Sequence, residues 1–164
     1  MKNSWISRWT REGVIKFPWG KFETLEKLVL ATSLLEKLNI RTELFIKNRE
    51  EFHKLQLPWR YGFFFFGPSG SGKTSAGKAI ALALKWEHFT IPAHEILDAH
   101  FLERALADAV DTSERVIVLE DVDLMIRTME PHVFFTLLDQ AMERSEGFFW
   151  IANSRHAEET PKTQ

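Results

Sequence analysis

Residues 67–74 read GPSGSGKT. The pattern G-x-x-x-x-G-K-[ST] is complete, with Gly67, Gly72, Lys73 and Thr74 at its fixed positions. The apolar run Gly62-Phe63-Phe64-Phe65-Phe66 precedes it, and a segment of helical period, Thr74 to Lys85, follows. A buried strand is therefore expected to feed a glycine-rich loop that opens a helix, the context this motif requires. Glycines let the backbone curl at little steric cost, so that successive N–H groups converge on phosphate oxygens. The start of the helix adds the positive end of its dipole. Lys73 has the reach for terminal phosphates, and the Thr74 hydroxyl suits Mg²⁺. The candidate nucleotide-binding set is Gly67, Pro68, Ser69, Gly70, Ser71, Gly72, Lys73, Thr74 and Ser75.

Downstream, strand and helix signals alternate. A short strand is expected near His88–Ile91 and a helix from about His94 to Val110. Val116-Ile117-Val118-Leu119 is apolar throughout, as in a strand covered on both faces, and it ends in Glu120-Asp121, with Asp123 close behind. Carboxylates at the C-terminal edge of a parallel strand sit where α/β sheets bind ligands. A phosphate-bound metal needs a carboxylate there, and an attacking water needs a base. Pro131 suits the first turn of a further helix, and Phe148–Ala152 forms another buried strand, ending in Asn153-Ser154. The Asn153 amide is placed to orient a water beside a γ-phosphate. The order of elements predicts an α/β fold of the P-loop NTPase type, a parallel sheet with helices on both faces, preceded by a helical segment.

Upstream the signals are weaker. Residues 1–21 show no period and are expected to form an irregular arm anchored by Trp5, Trp9 and Trp19. Residues 22–56 read as two helices, about Phe22–Leu38 and Thr42–Leu55, leading into a core over 57–164 after the break at Leu57-Pro58-Trp59-Arg60. The 164 residues hold no cysteine, which excludes disulfides and thiolate metal sites. No apolar run approaches a membrane span, so a cytoplasmic protein is the simplest expectation. The net charge of −2 predicts little about partners, and the Phe63–Phe66 run lacks the alternating polar residues of an RNA-binding sheet, so nucleic acid is not the expected partner. His94-Glu95 followed by His100 lacks the spacing of a zinc site, and no nucleophile elbow surrounds the serines.

GPSGSGKT, then VIVLEDVD, then FFWIANS, in that order and spacing, resembles the AAA+ ATPases. Within them the chain resembles the mitochondrial AAA ATPases that help assemble respiratory complex III, and their bacterial relatives, through Leu57–Gly62, the short interval between the second strand and LEDVD, and Glu-Asp in place of the usual Asp-Glu. The resemblance covers about residues 22–156. It implies that Lys73 binds the β- and γ-phosphates, that Thr74 and Glu120 hold Mg²⁺, that Asp121 is the water-activating carboxylate and that Asn153 is the sensor. The inverted Glu-Asp order leaves the division of roles between Glu120 and Asp121 open.

The stretch Asp98–Glu103 holds no glycine, unlike the pore loops of AAA+ unfoldases, so polypeptide threading is not indicated. The resemblance also implies a further helix and strand, arginine fingers and a helical lid beyond Gln164. The expected function is Mg·ATP hydrolysis coupled to remodelling of a protein partner, within a homo-oligomeric ring for the complete protein. This chain, as a C-terminal truncation that can be monomeric, is expected to bind ATP and hydrolyse it slowly. The alternatives are a nucleotide-binding module without appreciable turnover, a P-loop kinase, and a helicase loader.

Overall fold

The computed structural model describes residues 5–18, 32–68, 70–144 and 146–154. Among the described residues six strands form one sheet: β1 (Trp5–Thr10), β2 (Gly13–Pro18), β3 (Arg60–Phe66), β4 (Glu87–Pro92), β5 (Arg115–Glu120) and β6 (Phe148–Ser154). Their order is β2-β1-β4-β5-β6-β3. β1 and β2 are antiparallel, and every other pairing is parallel. The helices are α1 (Thr32–Lys47), α2 (Arg49–Lys54), α3 (Lys73–Leu84), α4 (Ala99–Ala109), α5 (Val122–Ile126) and α6 (Pro131–Glu143).

Strand alternation builds two cores from the same strands. From β5 and β6, Ile117, Leu119, Phe148 and Trp150 face α4, α5 and α6, joined by Trp9, Phe89 and Leu102. Val116, Val118, Phe149 and Ile151 face α1 and α3, joined by Phe45, Ile80 and Trp86. The apolar run at Val116–Leu119 is thus covered on both faces, as its composition predicts.

Over residues 5–18 the irregular N-terminal arm is corrected to a hairpin, while residues 1–4 and 19–21, Trp19 among them, lie outside the described residues. Arg11 and Glu12 turn the chain, Gly13 takes φ 140°, and Thr10 Oγ1 donates to the Gly13 carbonyl at 2.7 Å. Its strand pattern is obscured because the inward positions of β1 are Ser7 and Trp9, one polar and one apolar. The buried Ser7 hydroxyl bonds Glu87, which also accepts from Arg115 at 2.8 Å. Trp9 Nε1 donates to Asp108 at 2.9 Å. Polar pairing therefore seats a strand that apolar periodicity cannot reveal.

Other boundaries also shift. One helix, α1, runs through the expected gap between Leu38 and Thr42. No Gly or Pro interrupts it there, and Thr42 Oγ1 bonds the Leu38 carbonyl at 2.7 Å. The chain breaks instead at Asn48, and of the helix expected over Phe22–Leu38 the part 22–31 lies outside the described residues. The helix read from His94 begins at Ala99. Asp98 caps it by accepting from His100 N and Phe101 N, while Ala93–Glu95 forms a separate 3₁₀ turn. β3, expected to be buried, has one strand neighbour among the described residues. Phe63 and Phe65 pack onto the α1/α3 core, whereas Phe64 and Phe66 are 58% and 61% exposed.

Two residues in this frame have measurable consequences. Gly62 pairs with Trp150, and a Cβ at Gly62 would stand 2.8 Å from the Trp150 carbonyl oxygen, which backbone pairing holds in place. Gly62→Ala should cost about 1–3 kcal/mol, read as a lowered urea midpoint.

His88 lies under α3, 1% exposed, and its Nε2 has no hydrogen-bond partner. Burial, then the charge of Lys78, lowers its pKa from 6.5 to about 4. The unfolded chain therefore binds the extra proton first. This contribution to stability is whole above pH 6.5 and is lost as pH falls toward 4, about 3 kcal/mol in all. His88→Gln should flatten the dependence of unfolding free energy on pH across that window.

Candidate nucleotide site

The parallel register of β6 with its two neighbours sets the strand ends level. Phe66 pairs with Ser154, Phe65 with Asn153, and Leu119 with Ala152. The last residues of three strands therefore meet at one edge of the sheet. Gly67 N donates to the Ser154 carbonyl at 3.2 Å, so the loop leaves β3 already tied to the end of β6. Ser154 Oγ reaches Asp123 at 3.1 Å and links that end to the segment after β5.

Gly70 and Gly72 hold φ of 80° and 88°, in the left-handed region that L side chains disfavour. Gly72 is also the residue before the first turn of α3, and Ala76 N bonds its carbonyl at 2.9 Å. The helix begins at Lys73, so its unpaired N–H groups open into the loop. Lys73 Nζ donates to the carbonyls of Gly67 at 2.6 Å and Pro68 at 2.8 Å, and to Ser71 Oγ at 3.2 Å. Ser71 N in turn donates to the Pro68 carbonyl at 3.3 Å. The ammonium group thus lies across the loop. Ser69 lies outside the described residues.

Gly70, Gly72, Lys73, Thr74, Ser75, Glu120, Asp121 and Asn153 line one cleft of about 300 Å³. Successive residues of a strand point to opposite faces. Glu120 and Asp121 share the cleft because Asp121 leaves β5 at φ 54° and ψ 52°. Asp tolerates this left-handed conformation better than most residues, and such backbone strain recurs at functional sites. The Asp121 carbonyl then accepts Leu124 N at 2.9 Å and starts α5.

The electrostatics are set by partial burial. Burial pushes the Glu120 carboxyl above its ordinary range. Arg8 pulls it down, the neighbouring Asp121 pushes it up, and Lys78 and a hydrogen bond from Thr74 pull it down again. Thr74 Oγ1 donates to Glu120 Oε1 at 3.5 Å. Asn153 is 3% exposed, and its Oδ1 has no hydrogen-bond partner. An unpaired buried polar atom is costly, and here it borders the cleft.

Among the described residues, no group of three or more His, Cys, Asp or Glu stands ready to hold a metal alone. A Mg²⁺ ion usually takes one or two carboxylates together with phosphate oxygens and water, so the Thr74–Glu120 pair fits such an ion beside a nucleotide.

Every candidate site residue among the described ones except Gly67, Pro68 and Ser71 lines this cleft, and those three fix Lys73. Sequence reasoning missed Arg8 and Lys78 as charges acting on Glu120. Lys78 stands one helical turn after Thr74, a spacing that would have pointed to it. Arg8 gave no such signal, because it arrives through the hairpin.

The fold and this site define a P-loop nucleotide-binding domain. A family model described as "ATPase family associated with various cellular activities (AAA)" matches residues 63–163, and the chain belongs to that family. It is similar to AAA-ATPase At2g46620 of Arabidopsis thaliana, 30% identical over 105 residues that span 64% of this chain and 21% of that protein. AAA-ATPase At2g18190 of the same plant is 28% identical over 143 residues, 84% of this chain and 28% of its own length. AAA-ATPase At3g28520, also from Arabidopsis thaliana, is 30% identical over 113 residues, 68% and 22% of the two chains. The chain thus spans between a fifth and three tenths of the length of these relatives. No helix among the described residues is long and apolar enough to cross a membrane.

Proposed function

We propose that this domain binds Mg·ATP and hydrolyses it by in-line attack of water on the γ-phosphate, coupling turnover to the remodelling of a protein partner. The observation that carries the reading is the single cleft shared by the P-loop, Glu120, Asp121 and Asn153. Family membership supports the ATPase chemistry. The protein partner, the homo-oligomeric ring and the kinship with complex III assembly chaperones rest on sequence resemblance.

In this reading the loop N–H groups and the N-terminal end of α3 cradle the β- and γ-phosphates. Lys73 exchanges its bonds to the Gly67 and Pro68 carbonyls for phosphate oxygens. Thr74 and Glu120 would hold Mg²⁺, which supplies charge neutralisation at the β- and γ-oxygens when bound. Asp121 takes the proton of the attacking water, and the Asn153 amide orients that water. Asn153 is held in β6 rather than in a loop, so its amide is placed by sheet pairing to Phe65. Preorganisation of this kind spares the site reorganisation during reaction. The absence of a hydrogen-bond partner at Asn153 Oδ1 agrees with a role completed by ligand or water.

Fluorescent-nucleotide titration tests binding. Lys73→Ala removes the cation of the cradle and should weaken ATP binding by about a hundredfold, as expected for loss of a charge-assisted contact. Equal affinity in mutant and parent would end the P-loop assignment.

Asp121→Asn should keep Mg·ATP bound and remove turnover, while Glu120→Gln should raise the Mg²⁺ concentration needed for binding. If Glu120→Gln alone spares binding and blocks turnover, the two roles are reversed. Turnover by the parent at saturating ATP separates an ATPase from a binding module.

A further inference from the structure

The N-terminal hairpin carries a cation to the far side of Glu120. β1 pairs in parallel with β4, with Arg8 opposite Thr90. Strand alternation sends Ser7 and Trp9 toward the α4 face, where both are buried. Ile6 and Arg8 are left on the face that α3 covers. There Arg8 joins Phe17 of the hairpin, Thr74 and Lys78 of α3, Thr90 and Glu120 in lining a second cavity of about 370 Å³. Thr74 and Glu120 belong to the walls of both this cavity and the nucleotide cleft. The two spaces therefore meet across the pair assigned above to the metal.

We infer that Arg8 is a positioning residue of the nucleotide site: from the second cavity its guanidinium balances the Glu120 carboxylate, and the N-terminal hairpin is thereby part of the ATPase apparatus. The inference rests on the reading of Glu120 as the metal-side carboxylate. Among the described residues, Arg8 and Lys78 are the two cations that line this cavity together with Glu120. An arginine keeps its charge at every accessible pH, so the compensation is permanent.

The strand is also fixed. The buried Trp9 beside Arg8 bonds Asp108 at 2.9 Å, and Ser7 on its other side bonds Glu87. The backbone that presents Arg8 is thus tied to α4 on one side of it and to β4 on the other. The exposed outer side of Arg8 leaves its charge partly screened by solvent, which limits the size of the effect.

A fixed positive charge acts with opposite sign on the two ligands. It attracts ATP⁴⁻ and repels Mg²⁺. The test uses the 164-residue chain and a fluorescent ATP analogue, first in EDTA and then with Mg²⁺ titrated at fixed nucleotide. Arg8→Gln should weaken metal-free nucleotide binding about three- to tenfold and lower the Mg²⁺ concentration for half-effect by a similar factor. Arg8→Lys should stay close to the parent. Arg8→Met, which keeps the apolar stem, should behave as Arg8→Gln does and serves if that variant melts early. Both shifts should shrink at high salt.

Unchanged constants, or two shifts in the same direction as a loosened hairpin would give, overturn the inference. A parent chain that binds no nucleotide removes the reading of the site, and the inference with it. A parent that binds, with Lys73→Ala that does not and Arg8 variants that match the parent, removes the inference alone.

Discussion

The structure depends on the position of β6 between β3 and β5. Parallel pairing fixes Phe66 against Ser154 on one side and Leu119 against Ala152 on the other. A register slip of one residue would turn every side chain of β6 to the opposite face. Phe149 and Ile151 would leave the α1/α3 core, and Asn153 would leave the cleft. The packing of four aromatic or branched side chains from β6, two on each face, therefore holds a cleft geometry that the cleft residues could not hold by themselves. The bond from Gly67 N to the Ser154 carbonyl passes this constraint to the phosphate loop.

A second constraint is local. Glu120 ends β5 in regular extended backbone, and Asp121 follows in the left-handed region. That one change of backbone sign places two adjacent carboxylates in the same cleft. Burial, and after it the charge of Asp121, push the Glu120 carboxyl above its ordinary range. Arg8 on the hairpin, then Lys78 and the Thr74 hydroxyl on α3, pull it back, which makes the sheet's outer strands relevant to its centre.

The fold class was legible because its evidence is short-range. GPSGSGKT carries its own backbone requirement, and Val116–Leu119 has no polar residue that would allow a one-sided strand. Pro131 and Asp98 mark helix starts by known chemistry, although periodicity alone places the second of these starts near His94. The hairpin was illegible because its inward residues include Ser7, buried through a bond to Glu87, eighty positions away. The exposure of Phe64 and Phe66 was illegible for a related reason. An apolar run reports composition, and the number of neighbours a strand acquires is a property of topology. In the site, each residue type announced its chemistry, but the left-handed turn at Asp121 and the cavity behind Glu120 emerge only from packing.

The central claim is that Thr74, Glu120, Asp121 and Asn153 surround one metal–nucleotide complex. Paramagnetic broadening of backbone amide signals by Mn²⁺, with a non-hydrolysable ATP analogue bound, tests it most directly. The account predicts nucleotide-dependent broadening at Gly72–Ser75, Glu120, Asp121 and Asn153, with sharp signals at Trp59 and Gly147 at the opposite end of the sheet. Broadening centred elsewhere, or none that depends on nucleotide, would contradict it.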